Sequence, residues 1–278
     1  MDTNLKKKFS LSDKTVLITG ASGFFGGYMA TTFLEAGATC VLVGRSDKLK
    51  TQADQYRKSF GEKKVKDFQV DFYNREAFKK TLEEIASVVA VDVVINNAYD
   101  LSPKTGFNTD TGTLEESTFD QWQAAFESGV YWAALTTQII GKQFKKRGGG
   151  SIINISSMYG IVAPDPALYE GRPFLNPPTY GVMKAGILAL TRYTASFWAK
   201  HNIRCNAISP GPFSNTETES ANSVEKNDPF LEKLKDKTLL RRVGHPNDLR
   251  GALLFLASDA SSYMTGANIV IDGGWTVI

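Results

Sequence analysis

Short runs of apolar, β-branched residues recur along the chain, each followed by a stretch whose apolar positions repeat at helical spacing. The runs "TVLIT" (15–19), "TCVLVG" (39–44), "VKDFQV" (65–70), "VDVVIN" (91–96), "SIINIS" (151–156), "IRCNAIS" (203–209) and "NIVID" (268–272) read as strands. Several are almost continuously apolar, which suits parallel strands covered on both faces. The intervening pattern predicts helices near 25–36, 47–60, 74–88, 117–146, 179–201 and 246–257. Strand–helix alternation with right-handed crossovers predicts a doubly wound α/β fold around a mostly seven-stranded parallel sheet. No repeat and no linker-like shift in composition interrupts the pattern, so residues 1–278 are expected to form a single domain. The helix from Tyr180 ("YGVMKAGILALTRYTASFWAKH") is apolar around most of its circumference and needs burial on more than one face. A homo-oligomer contact answers that need, as does an unusually deep core.

Composition narrows the picture mainly by exclusion. The 278 residues are 42% apolar and 22% charged, as in soluble globular proteins. A net charge of +3 is too weak to argue for nucleic acid or an anionic membrane. The short basic runs Lys6–Lys8 and Lys145–Arg147 read as solvated surface. Cys40 and Cys205 lie in apolar runs, and His201 and His245 lack ligand spacing, so neither a disulfide nor a metal site is expected. With no secretory signal and no run of transmembrane length, a cytoplasmic protein is expected.

Chemistry enters at "VLITGASGFFGG". Gly20, Gly23 and Gly26 follow the first strand and open a helix. Glycines there let the backbone turn sharply and approach a pyrophosphate, which rests on the helix N-terminus. An NAD site usually carries an acid about twenty positions on. Here the second strand ends in Gly44, Arg45 and Ser46. An arginine fork suits a 2′-phosphate, so NADP(H) is favoured over NAD(H), although Arg45 read alone is also compatible with a solvated loop residue. Further on, Tyr180 and Lys184 share one helix face. A phenol with a pKa near 10 is a poor acid–base group at neutral pH. A neighbouring ammonium and an oxidised nicotinamide would both favour the phenolate, and Lys184 is expected to supply the ammonium while holding the nicotinamide ribose. Ser157, at the end of the preceding strand, offers a donor to a substrate oxygen.

These segments bring out a resemblance. "TGASGFFG" (19–26), "VDF" (70–72), "NNA" (96–98), "NISS" (154–157), "YGVMK" (180–184), "NAISPG" (206–211) and "SSYMTGANIVIDGGW" (261–275) together resemble the classical short-chain dehydrogenase/reductase family across nearly the whole chain. The resemblance implies a Rossmann-type sheet, a nicotinamide cofactor and a homotetramer or homodimer packed through long helices. It implies that Ser157, Tyr180 and Lys184 are catalytic. It also implies that the turn residues Gly20, Ser22, Gly23, Phe25 and Gly26 bind the cofactor. By the same resemblance Asp71 and Phe72 would lie at the adenine, and Asn97 and Ala98 along its ribose. Pro210, Gly211 and Phe213 would close over the nicotinamide.

The chain departs from the family pattern in three places. Phe24 occupies the position of the family's middle glycine, and the turn becomes TGxxGxxG, similar to the extended branch that includes sugar-nucleotide epimerases and dehydratases. Gly129 stands where the family usually places an asparagine that binds a proton-relay water. "NNAY" replaces NNAG and leads into a long loop, 99–117.

The stretch between Ser157 and Tyr180 is longer than the family usually leaves. Its extra residues, roughly "LYEGRPFLNPP", are stiffened by proline and should overhang the C-terminal edge of the sheet, where α/β ligands bind. The polar segment "FSNTETESANSVEKNDPFLEKL" suits a mobile lid. The loops supply Tyr99, Lys104, Tyr159, Tyr169, Arg172, Phe174 and Phe213; of these Tyr159 and Arg172 join Ser157 and Tyr180 as expected substrate contacts. Aromatic faces with a few basic groups suit a hydroxylated small molecule such as a sugar, while Lys104 and Arg172 are equally compatible with simple solvation. "NPPTYGVMK" with its lengthened loop is similar to surface-sugar, flagellin-modification and polyol oxidoreductases, which leans the expectation toward a sugar- or polyol-like carbonyl or alcohol. An NAD-using epimerase or dehydratase, suggested by TGxxGxxG, and a cofactor-binding regulator, suggested by Gly129, stand as alternatives.

Overall fold

A computed structural model of the chain describes residues 3–171, 175–213 and 229–278. Its strands are β1 (Thr15–Thr19), β2 (Thr39–Gly44), β3 (Val65–Gln69), β4 (Val93–Asn96), β5 (Gly150–Ile155), β6 (Ile203–Pro210) and β7 (Asn268–Ile271). All pair in parallel in the order β3-β2-β1-β4-β5-β6-β7. The helices are α1 (Thr3–Phe9), α2 (Phe24–Glu35), α3 (Lys48–Phe60), α4 (Arg75–Val88), α5 (Phe119–Phe126), α6 (Trp132–Arg147), α7 (Pro178–Trp198), α8 (Pro229–Asp236) and α9 (Arg250–Ala257).

Alternation along the strands explains why they read as unbroken apolar runs. In β1, Val16 and Ile18 point to one face, where they meet Met29 and Phe33 of α2 and Leu253 and Leu256 of α9. Leu17, between them, points to the other face, with Phe78 and Leu82 of α4 and Ile140 and Phe144 of α6. Both faces are therefore core, and both cysteines lie buried and free within it. Burial raises both thiols to about 12, which makes them poor nucleophiles.

The structure modifies the sequence expectations at element ends. The helix expected over 117–146 is divided by a widened turn, Glu127–Tyr131, in which backbone hydrogen bonds span five residues. Its first residue, Glu127, is held from outside by Arg75 Nε and Nη2, which donate at 2.8 and 3.0 Å. The helix expected at 246–257 begins as a tight 3₁₀ turn at Pro246 and becomes α-helical only at Arg250. Helices α1 and α8 were not legible; each is seven or eight residues long, too short for periodicity to stand out.

The chain runs outward from β1 to β3, then returns to β4 on the other side of β1. The crossovers on the two sides leave a crevice beyond the C-terminal ends of β1 and β4, the usual ligand site of such sheets. A cleft of about 570 Å³ occupies it.

Candidate active site

The floor of the cleft is the turn after β1. Gly20 adopts φ +66°, and a Cβ there would lie 2.9 Å from Ala98 Cα. At Gly26 a Cβ would lie 2.1 Å from Gly20 O and 2.7 Å from Ala21 Cα, so α2 is pressed directly onto the turn. No side chain caps α2, leaving its first amides free to meet an anion. Asn97 stitches the crevice shut from below, its Nδ2 donating to Thr19 O at 3.1 Å and Gly20 O at 3.2 Å. Thr19 Oγ1 accepts from the amides of Asn97 and Ala98. A backbone cradle with no room for side chains fits a dinucleotide pyrophosphate.

Gly20, Ser22, Gly23, Phe25, Arg45, Phe72, Asn97, Ala98, Tyr180, Lys184, Gly211 and Phe213 line the cleft. Gly26, Asp71, Pro210 and Ser157 are not among the residues that line it. Gly26 supports the turn, Asp71 is exposed and accepts from the Tyr73 amide, and Pro210 belongs to the β6–β7 ladder. Phe72 stacks on Phe78 at 4.4 Å and meets Trp132 edge-on.

Arg45 is not the free guanidinium that its sequence position suggests. Its Nη2 donates to Asp100 Oδ1 at 3.1 Å, and Tyr73 donates to the other carboxylate oxygen at 2.8 Å. Asp100 is only 2% exposed, whereas the Arg45 side chain is half in water. Lys104 sits 3.4 Å above the Tyr73 ring. Burial and Asp100 together push the Tyr73 phenol upward. Asp100 and Tyr73 went unrecognised in the sequence because their partners are far away along the chain; the only local signal was an acid directly after "NNAY".

At the other end, α7 brings Tyr180 and Lys184 to the cleft. The buried Lys184 ammonium donates to Ile155 O at 2.9 Å, and burial lowers its pKa to about 8. Burial raises the pKa of Tyr180, against the opposing pull of its hydrogen bond with Ser157. This differs from the expected lowering of the phenol by Lys184. Desolvation dominates, and Lys184 lies over ring planes, 5.0 Å from the Tyr99 centroid and 5.5 Å from that of Tyr180. At neutral pH Tyr180 is thus a neutral phenol, able to donate a proton. Ser157, buried after β5, accepts from the Tyr159 amide at 3.2 Å.

Tyr99 and Phe107 brace Tyr180 edge-to-face, at 5.2 and 5.4 Å. Tyr159 is buried in a small cluster with Leu168, Tyr169, Leu234 and Trp275, against which Tyr180 packs, and its hydroxyl lies 3.3 Å from that of Tyr169. Arg172 and Phe174 lie outside the described residues, as does 214–228 of the expected lid. The described end of that segment, α8, rests on the loop after β5. There Lys233 donates to Ala167 O at 3.2 Å and Lys237 pairs with Asp165.

Comparison with known proteins accords with this geometry. A family model described as enoyl-(acyl carrier protein) reductase matches residues 20–276. A sorbose reductase of Schizosaccharomyces pombe is 34% identical over 270 residues, spanning 96% of this chain and 97% of the relative. The structure of a gluconate 5-dehydrogenase from Burkholderia cenocepacia in complex with NADP and tartrate superposes with a TM-score of 0.83 at 26% identity, over 99% of both chains. A short-chain type dehydrogenase/reductase from Mycobacterium marinum superposes with a TM-score of 0.82 at 30% identity, over 98% of this chain and 99% of that one. Fold, crevice and full-length kinship converge, and the chain belongs to the short-chain dehydrogenase/reductase family of oxidoreductases.

Proposed function

We propose that the protein is an NADP(H)-dependent oxidoreductase acting on a carbonyl or alcohol of a polar, sugar- or polyol-like small molecule, with NAD(H) as the weaker alternative cofactor. The observation that carries the reading is the Tyr180 phenol, hydrogen-bonded with Ser157 and one helical turn from the buried Lys184, beside a glycine cradle. A bound nicotinamide dinucleotide supplies or accepts the hydride. In reduction, Tyr180 gives its proton to the substrate oxygen, and Ser157 donates to the same oxygen as charge develops on it. Lys184 steadies the phenolate that forms, because a nearby ammonium favours the charged state.

Arg45 supports the cofactor preference. A 2′-phosphate offers the guanidinium more charge than Asp100 does, and Ser46 and Lys48 border the same corner of the cleft. The polar substrate class rests on the reductase and dehydrogenase relatives and on the Tyr180 hydroxyl in the wall. The apolar outer face of α7 supports a homodimer or homotetramer. No described helix is long and apolar enough to cross a membrane, and the reading implies work on soluble metabolites in the cytoplasm.

The test is consumption of NADPH and NADH with a panel of ketoses, keto-acids of sugars and polyols, using wild type and Tyr180→Phe. Turnover that falls roughly 10²- to 10⁴-fold in the variant while dinucleotide binding persists supports the proposal. Dinucleotide binding without turnover on any carbonyl or alcohol would instead favour a regulator.

A further inference from the structure

Tyr99 has a peculiar position. Its hydroxyl is buried and makes no well-formed hydrogen bond to a described residue. The nearest polar side chain is Thr179, whose hydroxyl donates to Thr105 O at 2.8 Å. The ring, by contrast, is fully engaged. It lies under the Lys184 ammonium at 5.0 Å, meets Tyr180 edge-on at 5.2 Å and Phe107 at 6.2 Å.

The space for that ring exists because residue 129 is glycine. A Cβ on Gly129 would stand 2.9 Å from Tyr99 Cε2 and 2.6 Å from Met183 Cβ. The widened turn Glu127–Tyr131 and the loop after β4 therefore fit together: a side chain missing from one is replaced by a ring from the other. The two departures from the family pattern, Tyr99 and Gly129, are one feature in space.

We propose that Tyr99 is a positioning residue for the Tyr180–Lys184 pair, its ring filling the space beside Gly129 and holding the buried ammonium where no carboxylate of the described residues pairs with it. The idea rests on the proposed catalytic reading of that pair. Among the described residues, the groups around the ammonium are few. Tyr180 faces it from its own helix, Tyr99 from the loop after β4, and the Ile155 carbonyl from β5. Ser156 is engaged with the Lys184 carbonyl at 2.8 Å. From the widened turn, Ser128 is uncharged, and Glu127 is paired with Arg75. Asp100, next to Tyr99, is occupied on both oxygens by Arg45 and Tyr73. With no counter-charge among the described residues, the negative face of the Tyr99 ring joins the Ile155 carbonyl and the Tyr180 ring in favouring the charged amine. Burial already draws Lys184 down to about 8, so loss of the ring leaves the amine uncharged over part of the physiological range.

The experiment follows the Lys184 titration by NMR in protein labelled with [ε-¹³C]lysine, the signal being assigned with Lys184→Arg. Phenylalanine carrying zero to three ring fluorines is placed at position 99, which weakens the ring's negative face with little change in shape. Tyr99→Phe is expected to titrate with wild type. The fluorinated series should move the midpoint stepwise downward, by about one pH unit in total. Gly129→Ala, which displaces the ring, should move it in the same direction. A midpoint that stays constant across the fluorinated series overturns the proposal. The titration needs no turnover, so an inactive enzyme would count against the catalytic reading alone.

Discussion

Lys184 must be charged in a place that disfavours charge. An ordinary lysine near 10.5 is brought to about 8, a penalty of roughly 3 kcal/mol on the ammonium. The folded state binds the proton less tightly than the unfolded chain, so the penalty is complete below about pH 8 and fades as pH rises from there toward 10.5. Lys184→Met is accordingly expected to abolish turnover yet raise stability at pH 7. Urea denaturation at pH 7 and 9.5 checks the sign, because the gain should shrink at the higher pH. Arg45 presents a different contest. Arg45→Ala is expected to weaken NADPH binding roughly 10- to 100-fold with little effect on NADH. Asp100→Asn should release the guanidinium and tighten NADPH, and calorimetric titration of both dinucleotides distinguishes these outcomes.

Elements position these residues through close backbone approach. At Gly26 the contact of α2 with the Gly20 carbonyl leaves no space for a methyl group. Gly26→Ala is expected to cost roughly 1–3 kcal/mol of stability and to impair dinucleotide binding more than Gly23→Ala does, since a Cβ at Gly23 meets only the Gly20 carbonyl, at 3.3 Å. Thermal melts with and without NADPH read both effects. The strands were legible to within a residue or two, because burial on both faces demands continuous apolar runs. The widened turn at Glu127–Tyr131 was not. Its apolar spacing matches an ordinary helix, and what marks it is the fit of Gly129 against Tyr99 and Met183, residues remote in sequence.

On the scale of the molecule, α7 buries one face on the sheet through Met183, Ile187 and Thr191 and leaves another apolar face outside. Val182, Tyr193 and Phe197 are 52%, 68% and 58% exposed, with the last two rings stacked at 5.9 Å. Phe119 and Phe126 of α5 are exposed as well. A patch of this kind suits a second copy of the chain better than water. Sedimentation is expected to show a dimer or tetramer that Tyr193→Glu with Phe197→Glu breaks into monomers. A monomeric wild type at micromolar concentration would remove the oligomer from the proposal.

Sequence alone determined the doubly wound sheet, the glycine turn and the Tyr180–Lys184 spacing. Each depends on residues that are neighbours on a strand, turn or helix, so local periodicity and backbone sterics specify them. Tertiary structure alone decided how the charges are disposed. Arg45 meets Asp100 across the crevice, Tyr180 is desolvated rather than drawn down by Lys184, and the Tyr99 ring takes the space beside Gly129. Burial and electrostatics act through space over a few ångströms, between groups that the chain keeps tens of residues apart.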